Sequence, residues 1–189
     1  MNSKFDEALI LINKGRFIEA KNIFSEILKQ DPKNFSAYNN KGNICFILGN
    51  LSDALKSYNK AVELKPDFAE AYNNKGNVLR KLNKKEDAIE NYLKATKFNK
   101  NHIQAYYNLG CTFRELKKYS YSIENFEKVI KLKPDYLEAY LGLGNLHLEL
   151  KQNDLALECY EKALKIKPDY SFLPGNIFTP FISGFVVSA

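Results

Sequence analysis

The stretch AYNNKGN at residues 37–43 decides the fold, because it returns unchanged at 71–77, 34 positions later. The pair Ala-Tyr recurs at the same step in 105–106 and 139–140. Further members of the series are a glycine (Gly42, Gly76, Gly110, Gly144), a small residue (Ala20, Ala54, Ala88, Ser122, Ala156) and an aromatic residue (Phe24, Tyr58, Tyr92, Phe126, Tyr160). A strict period of this length predicts an array of five repeated units, namely 1–34, 35–68, 69–102, 103–136 and 137–170.

Each unit carries two amphipathic helical patterns. The first spans about 13 residues, and its small and apolar side chains recur at helical spacing on one face. In the second, Ala20, Phe24 and Ile27 show the same spacing. A proline then ends the second helix in four units, because proline has no backbone N–H to donate (Pro32, Pro66, Pro134, Pro168). One hairpin cannot bury its apolar face alone, so the units are expected to stack into an all-α solenoid.

This pattern resembles the tetratricopeptide repeat (TPR) family, with tyrosine where the family usually has tryptophan. The resemblance implies a right-handed α-solenoid of five TPR helix hairpins. It also implies a protein-interaction module whose first helices line a concave groove. Unit 1 departs from the pattern at Lys4 and Ala8, where later units have tyrosine and glycine, and unit 3 has Lys100 in place of the proline. A terminal unit packs on one side only, which accounts for the first departure.

The face of the first helices opposite the apolar stripe is rich in asparagine. Position 6, counted from the start of a unit, is Asn40, Asn74 and Asn108 in three successive units. An amide side chain both donates and accepts hydrogen bonds, so such a row can hold the backbone of an extended peptide without reading its sequence. The TPR segment of the O-linked N-acetylglucosamine transferases is similar at these three positions, which implies peptide holding. Asparagine is also common throughout the chain, with 21 residues, so an ordinary polar helix surface remains the alternative.

The predicted peptide-binding set extends beyond this row. It adds Asn43, Asn77, Asn145, Asn39 and Asn73, with Tyr107, Arg80, Arg114 and Leu141 for side-chain selectivity. The apolar residues Phe46 and Ile47 lie at the end of the same face. The carboxylate clamp of chaperone co-factors is matched only at Asn43 and Asn74 and lacks its cations, which argues against a chaperone tail as ligand.

Charge and composition narrow the function further. The net charge is +6, but the cations are 25 lysines and 3 arginines, and the predicted groove face carries more carboxylates than cations. Nucleic-acid readers favour arginine and a basic binding face, so no nucleic-acid partner is expected. The interpretation is a protein or peptide partner.

The chain shows no arrangement typical of an enzyme. Its two histidines, His102 and His147, lack neighbours at the spacing of a triad or metal site, and Cys45, Cys111 and Cys159 are far apart. We therefore expect no catalysis, no metal, no cofactor and no disulfide. The acidic start of the chain does not resemble a signal peptide, which predicts a cytoplasmic protein.

Residues 171–189 form an apolar tail segment that has no charged residue, four phenylalanines and two prolines. It is interpreted as an irregular cap on unit 5, as a self-association segment that occupies a neighbouring molecule's groove, or as a scar of truncation or cloning. Its prolines and glycines argue against a membrane-spanning helix. The alternative function is therefore a structural scaffold that assembles through its ends and this tail, as a homo-oligomer with an empty groove.

Overall fold

The computed structural model describes residues 4–168, so the tail segment and the predictions made for it lie outside the described residues. The described part of the chain is all-α and contains no strand. Its helices are α1 (Lys4–Asn13), α2 (Phe17–Gln30), α3 (Phe35–Ile47), α4 (Leu51–Leu64), α5 (Ala69–Lys81), α6 (Lys85–Phe98), α7 (Ile103–Glu115), α8 (Tyr119–Leu132), α9 (Leu137–Glu149) and α10 (Asn153–Ile166). One helix pair falls in each 34-residue unit, as expected for an α-solenoid.

The second helices end at the same place in each unit, with or without the proline. Helix α4 ends at Leu64, two residues before Pro66. Helix α6 ends at Phe98, although Lys100 replaces the proline there. Asn99 adopts an extended conformation (φ −131°) and its N–H closes the helix by donating to the Ala95 carbonyl. The turn is thus built before the proline position, which explains why unit 3 tolerates its loss.

The chain forms two compact bodies that divide within α7. The first body comprises the described residues up to 112, and the second comprises residues 113–168. Within the first body, α2 packs on α3, α4 packs on α5, and the first helices α3 and α5 also contact each other. In the second body, α9 packs against both α8 and α10.

The repeated glycine and the repeated aromatic residue form one packing contact. A β-carbon at Gly42 would lie 2.6 Å from Cε1 of Tyr58, and one at Gly76 would lie 2.5 Å from Cε1 of Tyr92. The second body repeats this contact between Gly144 and Tyr160. Both partners of each pair are buried. Glycine within a helix costs roughly 1 kcal/mol relative to alanine, and burial of the tyrosine ring against the helix backbone offsets that cost.

Between residues 4 and 168, no helix is both long enough and apolar enough to cross a bilayer.

Candidate functional site

The asparagines predicted to form the groove are hydrogen-bonded to one another between consecutive first helices. On α5, Asn74 donates from Nδ2 to Oδ1 of Asn43 (3.0 Å) and to Oδ1 of Asn39 (3.2 Å), both on α3. Asn39 in turn donates to a carboxylate oxygen of Glu70 at 3.1 Å. The amide at position 6 therefore joins one unit to the unit before it.

The same arrangement recurs one unit later. Asn108 on α7 donates from Nδ2 to Oδ1 of Asn77 and to Oδ1 of Asn73 on α5, each at 2.9 Å. Asn73 also donates to Oδ1 of Asn74 at 3.3 Å. Asn40, the first member of the row, faces a unit that has Phe5 and Leu9 at the two matching acceptor positions, and it donates to the Ser36 carbonyl of its own helix at 2.9 Å.

Buried tyrosines complete this network from the second helices. The Tyr58 hydroxyl donates to Oδ1 of Asn43 at 2.7 Å, and the Tyr92 hydroxyl donates to Oδ1 of Asn77 at 2.9 Å. Burial raises the pKa of the Tyr58 phenol far above its ordinary value, so the hydroxyl keeps the proton that it donates. Each of these asparagine oxygens thus accepts two hydrogen bonds, one from a tyrosine and one from the next unit.

The second body contains the same tyrosine–asparagine pair once in its described part. The Tyr160 hydroxyl donates to Oδ1 of Asn145 at 2.7 Å, and burial raises the pKa of Tyr160 to about 12. Unit 4 differs because position 24 is Phe126, which has no hydroxyl. Position 9 of that unit is Cys111, so the asparagine is missing together with the hydroxyl. The Phe126 ring packs instead near Gly142, where a β-carbon would lie 2.8 Å from it. Asparagine at position 9 therefore accompanies tyrosine at position 24.

Three of the predicted peptide-binding residues lie in the interior. The exposed fractions of Asn39, Asn73 and Asn108 are 2%, 4% and 5%. The helical wheel placed them on an open face because it treats each helix alone, whereas the first helix of the neighbouring unit covers that side. The other predicted asparagines of the first body are half-buried at its surface, namely Asn40, Asn43, Asn74 and Asn77.

The remaining predicted residues are distributed over both bodies. Arg80 on α5 and Tyr107 on α7 are half-buried residues of the first body. In the second body, Leu141 is half-buried, and Arg114 forms an ion pair with Glu149, with Nε donating to Oε1 at 2.8 Å. The ion pair thus engages Arg114, one of the two arginines that were predicted to give ligand selectivity, within the protein.

An open cleft of about 300 Å³ lies in the first body, where the asparagine network meets the end of α3. Its lining residues carry no charge and are Asn43, Phe46, Ile47, Tyr58, Asn74 and Asn77. Ile47 is 54% exposed, and the Lys81 ammonium lies 5.1 Å from the centre of the Phe46 ring. The cleft combines side-chain amides with an apolar floor. The sequence pattern placed Phe46 and Ile47 at the end of the same face, but the predicted peptide-binding set did not include them.

The described residues give no support to a metal centre, since no three His, Cys, Asp or Glu side chains between residues 4 and 168 are grouped to hold an ion. His102 has a local role, because its Nδ1 accepts a hydrogen bond from the Ala105 N–H (3.3 Å) at the start of α7. Burial lowers the pKa of His102, and the carboxylate of Glu70 opposes this shift.

Comparison with solved structures identifies the fold. MamA is 29% identical, with a TM-score of 0.78 over 85% of this chain and 94% of that chain. PilF of Pseudomonas aeruginosa is 21% identical, with a TM-score of 0.80 over 86% of this chain and 74% of that chain. YrrB, described as a TPR protein with an unusual peptide-binding site, is 22% identical, with a TM-score of 0.71 over 88% of this chain and 86% of that chain. No curated protein sequence matches the chain.

Family models match nearly the whole repeat region. A TPR repeat model matches residues 42–82 and 76–113. Tetratricopeptide repeat models match residues 3–34, 23–56, 103–136 and 137–170. Together with the helix hairpins and their period, these matches show that the chain belongs to the tetratricopeptide repeat family and has its all-α solenoid fold.

Proposed function

We propose that this protein is a non-catalytic interaction module that holds an extended peptide segment of a partner protein in the cleft of its first body. The single observation that carries the proposal is the lining of that cleft. Amides of Asn43, Asn74 and Asn77 stand beside the apolar side chains of Phe46 and Ile47. Amides suit a peptide backbone, and an exposed apolar floor suits one apolar side chain of that peptide.

The internal hydrogen bonds determine which amide atoms remain for a ligand. Oδ1 of Asn43 and Oδ1 of Asn77 each accept two bonds within the protein. Their Nδ2 groups are then the atoms that can donate to peptide carbonyls. Asn74 uses Nδ2 internally, and its Oδ1 accepts one internal bond, from Asn73, so that oxygen can accept a second bond from a peptide N–H. An extended backbone presents both kinds of group in alternation, which fits this order of donors and acceptor.

The buried asparagines have a different role in this proposal. Asn39, Asn73 and Asn108 hold consecutive first helices in register and do not touch the ligand. The contact set is therefore narrower than the sequence predicts. The fold is compatible with this use, since YrrB shares it and is described as having a peptide-binding site.

Panning a random peptide library on the protein tests the proposal. The cleft variant is Ile47→Glu, and the matched control is Leu93→Glu, because Leu93 on α6 is 50% exposed and lies outside the cleft. We expect selected peptides to bind the wild type and Leu93→Glu equally and to bind Ile47→Glu about tenfold or more weakly, since a charge replaces the apolar anchor. Equal binding to all three proteins would refute the proposal.

A second candidate, end-to-end assembly into a scaffold, is favoured by one surface of unit 1. Position 10 is fully buried in every later unit, as Ile44, Val78, Thr112 and Leu146. In unit 1 the same position is Ile10, which is 40% exposed beside Leu9 at 37%. If this surface assembles the protein, light scattering should show an oligomer that Ile10→Glu dissociates and Ile47→Glu leaves intact. A monomeric wild type would exclude this candidate.

A further inference from the structure

We propose that the tail segment, residues 171–189, is itself a ligand of the cleft and competes there with external peptides. This inference rests on the proposed function, because it assumes that the cleft accepts an extended peptide. It goes further by naming the occupant, a segment of this same chain, and by making the cleft self-regulated.

The lining residues of the cleft are uncharged and form an apolar floor, which favours an occupant with a bulky apolar side chain, although the Lys81 ammonium also lies 5.1 Å from the Phe46 ring. Among units 2 to 5, position 12 and position 13 are both apolar only in unit 2, where they are Phe46 and Ile47. The corresponding pairs of the later units each include a charge, as Arg80-Lys81, Arg114-Glu115 and Leu148-Glu149. The cleft thus lies at the end of α3, where units 2 to 5 have their one apolar pair at these positions, and its polar groups are neutral amides and the Tyr58 hydroxyl.

The tail segment has the complementary chemistry. It reads SFLPGNIFTPFISGFVVSA, with phenylalanines at four places and no charged side chain. Pro174 and Pro180 disfavour a continuous helix, so its backbone groups need partners outside the segment. Amide side chains supply such partners. Its phenylalanine rings need cover from water, and the apolar floor at Phe46 and Ile47 supplies it.

The tail segment is long enough to lie across the cleft. Nineteen extended residues span roughly 60 Å, whereas a 13-residue first helix is only about 20 Å long. The segment can therefore cross the cleft with one phenylalanine on the apolar floor. Bound in its own molecule it blocks the groove, and bound in a second copy it links two molecules. Either arrangement lowers the apparent affinity for an external peptide.

Photo-crosslinking of the full chain tests the occupancy directly. The probe is p-benzoylphenylalanine in place of Ile47, with the same probe in place of Leu93 as the matched control. We expect the probe at 47 to crosslink to peptides from 171–189 and the probe at 93 to give little of this product. Mixing isotopically labelled and unlabelled chains then separates crosslinks within one molecule from those between two, and either kind supports the proposal. Equal crosslinking from both probes, or products at 47 that lack this segment, would overturn it.

Competition gives a second readout that separates this inference from the proposed function. In the full chain, Phe178→Ser combined with Phe181→Ser should raise the apparent affinity for library-selected peptides about tenfold, if the segment fills roughly nine tenths of the clefts. Unchanged affinity, together with peptide binding that still depends on Ile47, would refute the inference and leave the proposed function standing. A crosslink from position 47 to the segment, with no binding of external peptides even by the Phe178→Ser and Phe181→Ser double variant, would support occupancy by the segment and refute the proposed function.

Discussion

The hydrogen bond between Tyr58 and Asn43 should stabilise the first body by an amount that a double-mutant cycle can measure. Tyr58→Phe removes a hydroxyl that donates at 2.7 Å, while Asn43 Oδ1 keeps its bond from Asn74. Because the acceptor stays satisfied, we expect a loss of about 1 kcal/mol in the free energy of unfolding. The ring itself still fits, since Phe126 occupies the same position in unit 4.

Asn43→Ala should cost more, because it removes the acceptor of a fully buried hydroxyl and one of two acceptors of Asn74. Leaving the Tyr58 hydroxyl without this acceptor raises the expected loss to about 2–3 kcal/mol. In the double variant the hydroxyl is already gone. The two losses should therefore fall short of additivity by about 1 kcal/mol.

Urea unfolding followed by circular dichroism measures the four proteins of the cycle. Tyr121→Phe is the control, because Tyr121 is exposed and stacks on Phe113 in the second body, and we expect it to change stability by less than about 0.5 kcal/mol. Additivity of Tyr58→Phe and Asn43→Ala within about 0.5 kcal/mol would refute the hydrogen bond as the reason for the asparagine at position 9.

Two further predictions concern packing and pH. Gly76→Ala should destabilise the protein by about 1–3 kcal/mol, seen as a lower melting temperature, because the new β-carbon meets the Tyr92 ring; an unchanged melting temperature would contradict the packing. Burial lowers the pKa of His102 below 6.5, although the Glu70 carboxylate opposes this shift. The unfolded chain therefore takes up the proton more readily than the folded chain. Stability that is present above about pH 6.5 should be lost as the pH falls through the lowered pKa. Urea unfolding at one pH above about 6.5 and at one below the lowered pKa measures this loss of unfolding free energy. His102→Asn, which can still accept from the Ala105 N–H, should show a smaller loss between these two pH values. An identical loss would exclude His102 as the cause.

The fold could be predicted from the sequence because the same residue types recur every 34 positions. A 34-residue spacing repeated through five units constrains helix length, helix number and hairpin order at once. In the sequence, the glycine and the aromatic residue are two separate recurring positions of the period. The structure shows that they are one contact, with Gly42 against Tyr58 and Gly76 against Tyr92. A period shows which positions recur, but it does not show which of them touch.

The candidate site was less accessible to prediction because it depends on contacts between units. A wheel drawn for one helix put Asn39, Asn73 and Asn108 on the open face, although each is buried and bonded to the first helix of a neighbouring unit. A usable signal did exist in the sequence. Asn at position 9 occurs in the three units that have Tyr at position 24, and it is replaced in the two units that have Phe there, by Leu9 and Cys111. That correlation indicates a hydrogen-bonded pair within a unit.

In the proposed complex, Asn43 and Asn77 serve the repeat structure and the ligand through different atoms of one amide. Oδ1 of Asn43 ties Tyr58 and Asn74 together, and this bonding fixes the direction in which its Nδ2 points. The internal network thus orients the donors of the cleft, and replacing Asn43 must disturb stability and binding together. Ile47 is different, because its exposed side chain takes part in none of these hydrogen bonds. A substitution such as Ile47→Glu can therefore test peptide binding in the cleft without breaking the hydrogen bonds that hold the repeats together.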